Sequence, residues 1–270
     1  MSGDASGFIG DIPAHYDAGL GPNLFEGFAE LLAEAACSGA PTAVLELAAG
    51  TGIVSRKLRD RLPAGASLTV SDLSAPMLEV ARAKFAPQET VAFAVADALR
   101  TPFPDAAFDR VVCQFGVMFF PDKRAAFREA RRVLKPGGRF LFNAFGPMEA
   151  NPHSQIAYAV PAQFFAGEPP GFYKAPFHYG DPAKVRADLA AAGWRDVSHE
   201  TLRIRRRIAD AEAFARGLVY GNPLIDEIRA RGGVDPETVC AAVHRAIEVL
   251  FAPTDMTFPM EATVFVCTAE

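Results

Sequence analysis

From about residue 43 the chain alternates short apolar runs with amphipathic stretches of helical period. Ala43–Leu47 reads as a buried strand that runs into Gly50-Thr51-Gly52. Val54, Leu58 and Leu62 follow at i, i+4 and i+8, one face of a helix that Pro63 stops. Leu68–Ser71 reads as a second strand closed by Asp72, and Ser74 caps a helix whose inward face carries Met77, Leu78, Ala81 and Phe85. Thr90–Val95 and Asp109–Cys113 supply strands three and four. Phe127, Ala130, Val133 and Leu134 then mark a helix ended by Pro136-Gly137-Gly138, and Arg139–Phe145 is strand five. This alternation predicts βαβ units and a parallel sheet, and strands that are apolar throughout suit a sheet covered on both faces.

After Phe145 the rhythm breaks. Residues 146–180 are rich in Pro, Gly and Phe and read as an insertion or lid. Asp181-Pro182 opens a helix with Val185 and Leu189 inward, Gly193 ends it, and Arg195–Ile204 reads as a strand. Helices are predicted near Asp210–Val219 and Pro236–Leu250, the second opened by an Asp-Pro pair that caps and pre-sets its first turn. A strand from Thr257 to Thr268 closes the chain.

Composition narrows the function classes. Half of the 270 residues are hydrophobic, enough for one large α/β core. A formal net charge of −5 argues against nucleic acid as a partner. The one basic run, Arg203 to Arg207, alternates as the solvated face of a strand does. Four scattered cysteines, Cys37, Cys113, Cys240 and Cys267, lack metal-ligand spacing, so no metal is expected, and free thiols in apolar runs suit a reducing cytoplasm. The opening Met1-Ser2-Gly3-Asp4 lacks the pattern of a signal peptide. No apolar run approaches the roughly 18–20 residues that span a bilayer. These features predict a cytoplasmic protein without a membrane span, monomeric or homodimeric.

The chemistry concentrates in Val44-Leu45-Glu46-Leu47-Ala48-Ala49-Gly50-Thr51-Gly52. A strand that enters a glycine-containing turn and then a helix lets a ligand approach the backbone at the helix N-terminus. Glu46 ends the strand beneath that turn. Asp72, 26 residues later, ends the second strand, where a carboxylate accepts from vicinal ribose hydroxyls. Glu46 would repel a pyrophosphate but favour an ammonium. The turn also lacks dinucleotide spacing, because Ile53-Val54-Ser55 follows Gly52. The expected ligand carries a ribose and a positive end without phosphate, a description that S-adenosylmethionine meets.

Here the sequence resembles the class I S-adenosylmethionine-dependent methyltransferases, in particular the ubiquinone/menaquinone-biosynthesis-like branch that methylates small molecules. Five motifs in order carry the likeness over residues 43–146. The first is Glu46-Leu-Ala-Ala-Gly50-Thr51-Gly52, with Ala48 where a glycine is more usual. The second is Ser71-Asp72-Leu73-Ser74-Ala75-Pro76-Met77-Leu78, whose aspartate would hold the ribose while Leu73 and Met77 flank the adenine. In Ala96-Asp97-Ala98-Leu99, Asp97 would accept from the adenine amino group. Phe108 to Gly116, through Gln114 and Phe115, would face the methionine part and the acceptor, and Arg132 to Gly138 would turn into strand five.

The resemblance implies an α/β, Rossmann-like, doubly wound sheet of seven strands in order 3-2-1-4-5-7-6, the last antiparallel. One domain would span 1–270, with residues 1–40 as an N-terminal cofactor cover centred on His15-Tyr16-Asp17 through Leu24-Phe25. Residues 146–180 and 205–255 would form a substrate lid. Tyr16 joins the expected cofactor residues.

Methyl transfer needs alignment of acceptor and methyl, with exclusion of water, and an acceptor oxygen or nitrogen can also need a base. His15, His153, His178 and Tyr16 are the candidates, none singled out. Phe119, Phe120 and Phe145, at the C-terminal ends of strands four and five, with Phe164, Phe165 and Tyr220, are expected to line a pocket for a small, partly apolar or aromatic acceptor. The alternatives are a non-catalytic S-adenosylmethionine-binding protein and, disfavoured by Glu46, a nicotinamide-dependent oxidoreductase.

Overall fold

The structure is a computed structural model that describes residues 7–270. The opening Met1–Asp4 and the start of the expected cover lie outside the described residues. Seven strands form one sheet in the order β3-β2-β1-β4-β5-β7-β6. They are β1 (Ala43–Glu46), β2 (Ser67–Asp72), β3 (Val91–Val95), β4 (Phe108–Gln114), β5 (Leu134–Phe145), β6 (Asp196–Arg207) and β7 (Thr257–Thr268). The first five pair in parallel, and β7 runs antiparallel to both β5 and β6. Both the order and the reversed last strand are as the resemblance implied.

The sheet is buried on two sides for the reason its sequence suggests. On one face Val44, Leu68, Val70, Val112 and Leu141 pack with Leu58 and Leu32; on the other Leu45, Val111, Cys113, Phe140 and Phe142 pack with Phe127 and Val133. The helix Lys123–Val133 lies against the second face through Phe127, Ala130 and Val133. Asp122 caps it by accepting from the Ala125 amide at 2.9 Å.

Three stretches depart from the sequence reading. Pro136-Gly137-Gly138 does not end a helix; the helix stops at Val133 and β5 already begins at Leu134. Backbone bonds to the end of β7 hold this segment extended: Gly137 donates to the Ala269 carbonyl at 2.7 Å and Ala269 donates to Gly138 at 2.8 Å. β6 runs three residues beyond Ile204 because its register with β7 continues to Arg207↔Thr257. A helix absent from the expectation, Leu224–Arg231, buries Leu224, Ile225 and Ile228.

The elements outside the sheet roof its C-terminal edge. Ile12–His15 leads into a ten-residue π-helical segment, Tyr16–Phe25, and the helix Glu26–Cys37. The segment after β5 supplies the helix Pro152–Ala162, and the stretch before β7 supplies Ala211–Tyr220 and Pro236–Phe251. The π segment crosses Ala211–Tyr220 at glycines: a Cβ built on Gly217 would stand 2.8–2.9 Å from Gly19 backbone atoms. Only the missing side chains let the two backbones meet. Among the described residues no helix is long and apolar enough to cross a membrane.

Candidate functional site

β1 delivers Glu46 beneath the turn that follows it. The side chain is 1% exposed, and Ser55 of the next helix donates its hydroxyl to Oε2 at 2.5 Å. Burial pushes the Glu46 pKa up to about 8 against the opposing pull of the Ser55 bond. Burial thus favours the protonated acid, and a positive group beside it would favour the carboxylate.

The turn above it is left-handed at three positions, Ala48 (φ 50°), Gly50 (φ 57°) and Gly52 (φ 78°). At Gly52 a Cβ would press against that of Ala81 at 2.8 Å, so glycine is required by space as well as by backbone. Ala48 holds the same conformation with a side chain, at a cost of about 1–2 kcal/mol. Next in the turn, the Thr51 hydroxyl is buried without a hydrogen-bond partner.

Asp72 faces the turn from the end of β2. Its Oδ2 accepts the Gly50 amide at 2.8 Å and its Oδ1 accepts the Ser74 amide at 2.8 Å. A carboxylate offers about four lone-pair sites, so these amides leave it with capacity to accept further hydrogen bonds. Burial raises the Asp72 pKa and the backbone donors work against that rise.

A cleft opens along this edge. At one end lie Tyr16, Ala48, Gly50, Asp72 and Met77; at the other the wall is phenyl-rich, with Phe115, Phe119, Phe120, Phe145, Phe172 and Phe177. A smaller recess shares Tyr16, Phe25, Ala48 and Gln114 with it and reaches Glu46 and Thr51. A chain of rings joins the two ends: Tyr16 stacks on Phe25 at 4.9 Å, Phe25 meets Phe115 at 6.0 Å, and Phe115 stacks on Phe145 at 3.9 Å. Phe115 is itself left-handed (φ 50°), and its amide donates to Oδ1 of the buried Asn143 at 2.8 Å. Backbone strain of this kind persists where the surroundings over-determine it, and here it aims a ring into a cleft.

Tyr16, Ala48, Gly50, Asp72, Met77, Gln114, Phe115, Phe119, Phe120, Phe145 and His153 line the main cleft, and Glu46 and Thr51 line the recess. Gly52 supports the turn from behind. Leu73 is 42% exposed, beside the cleft rather than in its wall. Asp97, Ala98 and Leu99 lie past the end of β3, also off the wall, with the Asp97 carboxylate turned to the Leu99 amide at 2.9 Å.

The expected acceptor wall needs correction at three positions. Phe164 and Phe165 pack against the core elsewhere, with the Arg231 guanidinium 5.6 Å from the Phe165 ring. Tyr220 is buried off the wall, donating its hydroxyl to Glu237 at 2.8 Å. Of the candidate bases, His15 stands against Tyr220 at 5.4 Å and His178 is exposed, both off the wall. The wall also contains residues not assigned to it individually: Phe8, Leu20, Leu24 and Phe25 from the expected cover, and Tyr173, Pro176 and Asn222 from the expected lid segments. They come from separate segments and meet only through tertiary packing.

Comparison with known proteins follows the same division. Residues 45–142 match the family described as "Methyltransferase domain". The demethylmenaquinone methyltransferase of Thermus thermophilus is 45% identical over 109 residues, 40% of this chain and 49% of that protein. The chain spans about half the length of the curated relatives it matches. In structure it is similar to phosphoethanolamine N-methyltransferase 2 of Haemonchus contortus in complex with S-adenosyl-L-methionine, with TM-score 0.59 and 16% identity over 95% of this chain and 56% of that one. The [4+2]-cyclase SpnF is similar at TM-score 0.55 and 21% identity, over 90% and 81%. These two likenesses are likenesses of fold.

Proposed function

We propose that this chain, whose residues 45–142 form a class I methyltransferase domain, transfers a methyl group from S-adenosylmethionine to a small, partly apolar or aromatic acceptor. One observation carries the reading: a single cleft joins a polar end built on Glu46, Thr51 and Asp72 to an end walled by phenylalanines. The polar end suits a ligand with an amino-acid head and a ribose, and the buried, partnerless Thr51 hydroxyl is one donor awaiting such a ligand.

When bound, the cofactor supplies an activated methyl group as a sulfonium substituent. The chain's own residues bind and align. Glu46 takes the ammonium and Thr51 the carboxylate. Asp72 would accept from the ribose diol and Met77 would flank the adenine, while Leu73 and Asp97, beside the cleft in this structure, would reach the adenine from its rim. Gln114 and Phe115 stand at the seam between cofactor and acceptor, and Phe119, Phe120 and Phe145 hold the acceptor out of water, where alignment has its greatest effect. Burial and the neighbouring Asp72 push the Tyr16 phenol well above its usual pKa, so it keeps its proton and does not serve as a base.

The relative named for demethylmenaquinone supports a ring-shaped acceptor. A second reading, that the cleft binds the cofactor without methyl transfer, makes the same use of Glu46 and Asp72 and is separated only by an assay of product. Calorimetric titration with S-adenosylmethionine, S-adenosylhomocysteine and NAD⁺ tests the cofactor. The first two should bind and NAD⁺ should not, and Glu46→Ala should weaken binding more than about tenfold, since a charge-assisted contact contributes about 1.5–3 kcal/mol. Binding of NAD⁺ alone, or an unchanged affinity in Glu46→Ala, overturns the assignment. A methylated product from a screen of phenols, quinones and small amines separates transfer from binding alone.

A further inference from the structure

The acceptor end of the cleft is apolar except at one corner, where His153, Tyr173 and Asn222 reach the wall. Two of the three are already satisfied. The Tyr173 hydroxyl donates to the Leu218 carbonyl at 2.8 Å and accepts from Asn222 Nδ2 at 3.1 Å. Asn222 Oδ1 takes the Leu224 amide at 3.1 Å. His153 differs. It is 1% exposed, rings surround it (Phe145 at 6.3 Å, Phe177 at 6.2 Å and Phe258 at 5.5 Å), and its Nδ1 has no hydrogen-bond partner.

A buried nitrogen left unpaired is unfavourable, and a phenylalanine or leucine would fill this wall without that cost. Burial alone pulls the His153 pKa down to about 3, with no charged neighbour contributing, so the ring is neutral at working pH. A neutral imidazole has one nitrogen that donates and one that accepts. Position gives the role. Gly116 packs on Ala48 of the turn, its neighbour Phe115 stacks on Phe145, and His153 lies beyond Phe145, one ring past the phenylalanine stack.

Resting on the methyltransferase reading, we infer that His153 is a specificity-determining residue. It binds, through its imidazole, a hydroxyl of an aromatic acceptor at the end of the molecule away from the methylated atom. A hydroxyl both donates and accepts, so it pairs with a neutral imidazole in either tautomer, whereas an ether or a bare ring edge does not. The acceptor class is therefore a planar hydroxylated ring, gripped between phenylalanines and read at its far end.

The test uses the full chain saturated with S-adenosylhomocysteine, with 2-naphthol and naphthalene as paired probes and ¹⁵N in the five histidines. The wild type should bind 2-naphthol about tenfold more tightly than naphthalene, a hydrogen bond's worth of discrimination. Binding should shift the His153 ring-nitrogen resonance, identified by its loss in His153→Asn. His153→Phe should bind the two probes equally, and His153→Asn, whose amide reaches the place of Nδ1, should recover part of the preference. Both variants should bind S-adenosylhomocysteine as the wild type does. Equal affinity for the pair in the wild type, no binding of 2-naphthol, or an unmoved His153 resonance overturns the inference. These wild-type measurements decide the matter even if a variant fails to fold. Failure to bind S-adenosylhomocysteine would overturn the methyltransferase reading itself, a different result from its binding without a hydroxyl preference.

Discussion

The β-carbon of Ala48 occupies the space that a side chain on Gly116 would need: a Cβ built at Gly116 stands 2.7 Å from it and 2.7 Å from Cys113 Sγ. The departure from glycine at position 48 is thus matched by a glycine at the end of β4, on the far wall of the same turn. Gly116→Ala should destabilise the protein by about 1–3 kcal/mol, as overpacking of a close contact does. Ala48→Gly should stabilise it by up to about 1 kcal/mol by removing a left-handed alanine. In the double variant Gly116→Ala should cost less than it does alone, with the Cys113 contact left to account for the remainder. Urea unfolding of the four proteins closes the cycle, and strict additivity would contradict the pairing.

Glu46 ties stability and cofactor binding to pH in opposite senses. Its folded pKa of about 8 lies above its ordinary value of 4.5. The folded state therefore binds the proton more tightly, and this contribution to stability is full below pH 4.5 and is lost as pH rises toward 8. An ammonium placed beside Glu46 favours the ionised form, so cofactor binding at pH 7 should release nearly one proton. Titrations in buffers of different ionisation enthalpy measure that release. Glu46→Gln should abolish it and flatten the pH dependence of unfolding over this window.

Asn143 should matter through Phe115. Asn143→Ala leaves the Phe115 amide buried without its 2.8 Å acceptor, at an expected cost of about 1–3 kcal/mol. The left-handed backbone of Phe115 would lose its tether, and the ring would no longer be held against Phe145. Chemical denaturation reads the first effect. S-adenosylhomocysteine affinity should fall less than in Glu46→Ala, because Asn143 does not line the cleft.

Gly217→Ala should loosen the roof. Its new methyl group would press on the Gly19 backbone at 2.8–2.9 Å, where only backbone could give way. Protease cleavage near residues 16–25 should accelerate, and cofactor affinity should drop because Tyr16 and Phe25 line both cavities. Unchanged protection in the variant would argue against this crossing as the roof's anchor.

The cofactor end was legible because its parts are local. Glu46, the turn and Asp72 each announce themselves by strand ends, glycines and a carboxylate at a fixed remove, and the apolar runs around them mark β1 to β5. The acceptor end has no such grammar. Leu20, Tyr173 and Asn222 come from a π segment, the residue before a short helix and a bend, and nothing in their neighbours distinguishes them from packing. Phe164 and Phe165 had the right chemistry but were carried away from the wall by the course of the segment after Pro161. The Pro136-Gly137-Gly138 stop was misread for a related reason: its partner is the end of β7, 130 residues away.

The glycine crossing also has a kinetic meaning. The π segment and the helix Ala211–Tyr220 meet backbone to backbone at Gly19 and Gly217, so a shift of one would carry the other. A ligand entering beneath either would have to lift both, and in the methyltransferase reading departure of the spent cofactor and entry of the next acceptor would share one opening step.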